Sequence, residues 1–119
     1  MLMEKRYSEI DNGLPISRNY DRSTKKVIVD DALLTQLPKD KQIQVLDWIR
    51  TKIRKINTYN DRHSSYGLKH ILEREINIYL TNNQFKHAML ICGYIPKDET
   101  ELNWVYQISQ LSPCFKQLS

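Results

Sequence analysis

The side chains best suited to recognition chemistry lie in the run Thr81-Asn82-Asn83-Gln84-Phe85-Lys86-His87. A carboxamide donates and accepts side by side, which matches the edge of adenine in the major groove of DNA, and a lysine ammonium suits guanine. The free N–H groups at a helix N-terminus also bind phosphate. Asn82, Asn83, Gln84, Lys86 and His87 are therefore candidate contacts to a nucleic acid or another partner. A second set is basic. Residues 48–74 contain Arg50, Lys52, Arg54, Lys55, Arg62, Lys69 and Arg74 against only Asp61 and Glu73, and the rest of the chain is close to neutral. Cations clustered in this way point to an anionic partner held through its phosphates. The plainer alternative is a solvated helix face, since Lys52, Arg54 and Lys55 stand where positive charge suits the negative end of a helix dipole.

Catalytic chemistry finds little to use. His63, His70 and His87 are widely spaced, and neither an HExxH run nor a paired Cys–His zinc spacing occurs. His70 and Glu73 share a helix face, which suits a surface contact better than a ligand set. Cys92 and Cys114 have no CxxC spacing and read as reduced, packed thiols. Asp30-Asp31 offers carboxylates to a cation, although a solvated turn is the simpler reading. Three glycines are too few for a phosphate-cradling loop. The expectation is a non-enzymatic protein with no catalytic residues, no cofactor and no metal.

These side chains need elements to hold them. A chain of 119 residues is one domain by length. No apolar run approaches a membrane span, and the N-terminus lacks an apolar signal-peptide core, so the expected location is the cytoplasm. Residues 1–37 are rich in turn formers, with Asn12-Gly13 and Pro15, and read as a flexible arm or a small irregular β/helical element; Val27-Ile28-Val29 suits a short strand. Pro38 opens a first helix whose Ile43, Leu46, Ile49 and Ile53 recur on one face, widened by Val45 and Trp48. Ser64 or Ser65 caps a second helix containing Gly67, whose cost inside a helix a close backbone approach would justify.

The third helix has the clearest limits. Thr81 and Gln84 form a capping box, Leu80 and Phe85 the accompanying hydrophobic staple, and Gly93 the stop. Phe85, Ala88, Met89 and Cys92 fall on its inward stripe, leaving the amides, Lys86 and His87 outside. "YIPK" and "NWVYQIS" then read as a β-hairpin, and residues 110–119 as an irregular tail.

Three helices and a hairpin over residues 38–109 predict an α+β, mostly helical fold with a winged helix-turn-helix-like core, whose last helix would enter the major groove. The stretches "SSYGLKHILE", "TNNQFKHAML" and "ELNW" also resemble a family of small uncharacterised proteins from phages and mobile elements of Gram-positive bacteria. A weaker similarity, around "FKHAMLICGY", links the region to the winged-helix segment of phage replication primase-helicases. The resemblance carries no site residues with it. The expected function is a nucleic-acid-binding accessory or regulatory protein, with double-stranded DNA or another nucleic acid as partner. The alternative implied by mobile-element context is a small inhibitor of the anti-CRISPR or anti-restriction kind, bound to a host nucleic-acid-binding protein such as a defence nuclease. Residues 1–37 are the candidate contact for a homodimer.

Overall fold

A computed structural model describes residues 7–116. Three antiparallel strands come first: β1 (Ser8–Asp11), β2 (Leu14–Asp21) and β3 (Lys26–Asp30), side by side in that order. Asp11 pairs with Leu14, which leaves Asn12 and Gly13 as a two-residue loop. Both have positive φ, 53° and 80°, the geometry that an Asn-Gly pair adopts most readily and that matches the twist of the strands. The Asp21 carboxylate fixes the second turn by accepting from the Ser23 amide and hydroxyl. The supposed arm or irregular element is thus a regular meander, followed by a 3-10 turn at Leu34–Gln36 that buries Leu34.

The helices follow where their patterns place them: α1 (Lys39–Lys52), α2 (Ser65–Ile76), α3 (Asn82–Ile91) and a short α4 (Pro113–Lys116). Pro38 precedes the first turn of α1, and its carbonyl accepts from the Lys41 and Gln42 amides. Val45, Trp48, Ile49 and Ile53 are buried, but Ile43 is 58% exposed and does not belong to the stripe expected for it. Asn77 ends α2 in the left-handed conformation, φ 57°. Thr81 and Gln84 close the capping box on α3 in both directions, and Gly93, φ 89°, turns the chain away from it. No neighbouring atom lies within 4 Å of where a Cβ would stand on Gly67, so no close backbone approach explains this glycine. Gly67→Ala should raise stability by about 0.5–1 kcal/mol, read as a higher denaturation midpoint at unchanged slope.

The C-terminal region departs from expectation. Trp104, Tyr106 and Ile108 are all fully buried, as their alternation requires. They do not form a hairpin ladder with residues 94–97. Val105 bridges to Ser64 and Ile108 to Lys55, so the segment covers the α1–α2 connection instead. The Lys97 amide donates to the Val105 carbonyl at 2.8 Å. The tail is also built in: Cys114 and Phe115 are buried, and α4 packs on α1. With 39% helix and 19% strand among the described residues, the chain is a compact α+β fold, not a mostly helical one. One core joins Leu34, the three longer helices, Trp104 and Phe115.

Candidate nucleic-acid interface

The polar face of α3 does not face solvent. β2 and the 3-10 turn lie across it. Asn83 is completely buried; its Nδ2 donates to the Pro15 carbonyl at 2.8 Å and the Ala32 carbonyl at 2.9 Å, and its Oδ1 accepts from the Ser17 hydroxyl at 2.8 Å. Gln84 is buried, with Nε2 on the Leu33 carbonyl. His87 Nδ1 accepts from the Leu34 amide at 2.9 Å, so the ring is neutral with its proton on Nε2, and burial pushes its pKa down. Asn82 is half-buried and spends its amide on Leu102, Asn103 and Ser65. Asp30, read from sequence as a cation ligand or solvated turn, instead accepts from the Thr81 hydroxyl and the Asn83 amide at the start of α3. The expectation that Asn83, Gln84, Lys86 and His87 present themselves to a partner is corrected accordingly: Asn83 and Lys86 are consumed in seating the N-terminal sheet, and Gln84 and His87 in seating the 3-10 turn after it.

Lys86 is the extreme case. It is fully buried, donating to Ser17 Oγ at 2.8 Å and Ser8 Oγ at 3.1 Å, with its ammonium 4.6 Å from the centre of the Trp104 ring. Desolvation pushes its pKa down to about 7, and the Asp30 carboxylate nearby acts in the opposite direction. Two hydroxyls and an indole face satisfy the amine without supplying a full counter-charge. Lys69 is likewise committed, 5% exposed, paired with Glu73 at 3.2 Å and set over the Tyr66 and Tyr79 rings. Cys114 is buried and its thiol is pushed up to about 11 by burial; both cysteines are free.

The rest of the basic tract is at the surface. Arg50, Arg54, Lys55, Arg62 and Arg74 are exposed and Lys52 half-exposed, and among the described residues none of the six has a carboxylate within ion-pair distance. Four of them, Arg50, Lys52, Arg54 and Lys55, fall at the C-terminal end of α1 or immediately after it. Lys55 Nζ donates to the Gly93 carbonyl at 2.7 Å, which ties this end to the stop of α3. Arg62 stands further along the loop that follows α1. The loop from Arg54 to Arg62 runs along residues 105–110, held by Ile56 N to Gln107 O, Asn60 N to Tyr106 O and Ser109 N to Arg54 O. Arg74 lies on α2, away from this loop in sequence.

The sequence reading did not single out the aromatic in this surface. Tyr59 is 40% exposed and lines an open pocket of about 360 Å³ with Asn60, Asp61, Arg62 and Gln110. Lys97 approaches the Tyr59 ring at 5.9 Å and pairs with Asp61 at 3.6 Å. An exposed tyrosine within the polar run "NTYNDR" was the available signal. Cations, an accessible ring and amides side by side form a surface able to hold a polyanion and stack a base. Comparison of the chain with family models, with characterised proteins and with solved structures gives no match.

Proposed function

We propose that the protein is a non-enzymatic nucleic-acid-binding accessory protein that grips the phosphate backbone with the end of α1 and the Arg54–Arg62 loop. The observation that carries this reading is that Arg50, Lys52, Arg54 and Arg62, at the end of α1 and on the loop after it, are none of them paired with a carboxylate among the described residues, and that Arg62 shares its pocket with the exposed Tyr59 ring. A winged helix-turn-helix mode would need α3 free to enter a groove. The cover over Asn83, Lys86 and His87 argues instead for backbone contact with little sequence reading. A rival reading is an inhibitor that occupies the nucleic-acid surface of a host nuclease, and one observation favours it: Ile95, 64% exposed, stands close in sequence to Gly93, which Lys55 holds.

Anisotropy titrations with single- and double-stranded oligonucleotides at two salt concentrations test the proposal. Binding should fall steeply with salt, and Arg54→Ala should lower the log–log salt slope by about one while weakening all sequences alike. Tyr59→Ala should cost single-strand binding about 1–3 kcal/mol and duplex binding much less. Absence of binding to either probe at about 50 mM salt would remove the nucleic-acid reading. A stoichiometric protein partner that survives nuclease treatment would establish its rival.

A further inference from the structure

β3 is an edge strand: it pairs with β2 on one side, and no other described strand pairs with it on the other. Its three central residues are unusually bare. Val27, Ile28 and Val29 are 55%, 53% and 53% exposed, Val27 and Val29 on one face and Ile28 on the other. Naked β-branched edges invite pairing, and proteins that must stay alone blunt them with a central charge, a proline or a bulge. β3 has none of these, and its charges stand only at its ends.

Those ends identify the occupant. The run is Lys25-Lys26-Val27-Ile28-Val29-Asp30-Asp31, two cations before the apolar triplet and two anions after it. A second copy laid antiparallel about a two-fold axis at Ile28 sets Lys26 opposite Asp30, Val27 opposite Val29 and Ile28 opposite itself, and brings Lys25 and Asp31, which stand just beyond the two ends of the strand, toward each other. Every lysine then meets a carboxylate, and this holds for both halves of the pair. A parallel arrangement would set lysine against lysine. A slip by one residue would turn the side chains to the wrong face, and a slip by two would put either the lysines or the aspartates against the apolar triplet. Asp30 is already engaged by Thr81 and Asn83, so Asp31, which is exposed, carries most of the charge matching with Lys25. Ile28 also lines a pocket of about 280 Å³ with Asn19, Tyr66, Leu102 and Asn103, and the pairing brings the second Ile28 to its rim.

The geometry points to a homodimer made by antiparallel pairing of two β3 edges, which joins the two meanders into one six-stranded sheet. Such an interface is isologous, as a two-fold axis requires. Main-chain hydrogen bonds supply the attraction, and the lysine and aspartate ends fix the register.

Sedimentation equilibrium on the full chain tests the proposal with a charge swap. Lys25 and Asp31 are both exposed, and aspartate tolerates the left-handed backbone at position 25, φ 57°. Lys25→Asp and Asp31→Lys should each turn two symmetric attractions into repulsions and weaken self-association on the order of tenfold. At concentrations too low for the dimer to form, their melting temperatures should match the wild-type value. Mixed in equal amounts, the two variants should form a heterodimer of near wild-type strength, because each repulsive end meets its complement. A wild-type chain that is monomeric up to about 100 μM would overturn the proposal, since even modest interfaces associate in that range. A dimer indifferent to both substitutions would also overturn it, as would a mixture that fails to recover.

Discussion

Between pH 7 and pH 10 the unfolding free energy of the wild-type chain will climb relative to that of Lys86→Met by a few kcal/mol, up to ~1.4 kcal/mol for each pH unit. The folded protein holds Lys86 with a pKa of about 7, against the ordinary 10.5 it regains on unfolding. In that interval the unfolded chain carries the extra proton, so raising the pH favours the folded state. The contribution is complete above the unfolded value and is lost as pH falls through about 7. Methionine keeps much of the stem's packing and removes the ammonium. Ser17 keeps a partner in this variant, because its hydroxyl donates to Asn83. At pH 6 the variant should therefore be the more stable by about 1–4 kcal/mol, as when other buried charges are exchanged for apolar side chains. Urea unfolding of both proteins across the pH series checks this. Other titrating groups shift both curves together, and the difference isolates position 86. A difference that does not vary with pH would show that the amine is not desolvated in the folded state.

Asn83→Ala should be the most damaging conservative truncation in the sheet–helix seam. It strips the donors from two carbonyls, Pro15 and Ala32, and the acceptor from the Ser17 hydroxyl. Asn83 and Pro15 lie in the buried interior, where water cannot replace the lost bonds without opening the seam. At about 1–3 kcal/mol for each buried group left unpaired, partly offset by relaxation, the expected loss is roughly 3 kcal/mol. For a chain of this size that lowers the melting temperature by roughly 15 °C, since each kcal/mol is worth about 4–8 °C. Thermal unfolding followed by circular dichroism measures it. A loss below about 1 kcal/mol would mean that the seam tolerates an open polar gap.

The limits of α3 were legible because local rules determine them. A capping box and a terminal glycine act within a few residues, and both stand where the sequence places them. Its inward stripe was legible too, since Phe85, Ala88 and Met89 bury as their spacing demands. The opposite face misled because hydrophobic periodicity equates polar with solvent-facing. Here the cover is itself polar: Ser8 and Ser17 in the sheet meet Lys86 and Asn83 on the helix. No apolar pattern marks such a seam. The Asn12-Gly13 pair marked a turn without marking a hairpin, because with Pro15 and serines on the buried side the flanking strands lack the usual alternation. In the basic tract, composition located the cations without sorting them. Only packing separates Lys69, held by Glu73 and two tyrosines, from Arg54 and Arg62 on the open loop.

The order of synthesis gives the seam a further consequence. Bonds from the meander and the stretch after it to α3 span 51 to 78 residues of chain. The three strands therefore leave the ribosome well before the helix that must receive them exists. During that wait Ser8 and Ser17 have water in place of Lys86, and the bare edge of β3 is open to any neighbouring nascent chain. Assembly of the fold is gated by the arrival of residues 81–87, and a translational pause just before them would prolong the period of greatest exposure.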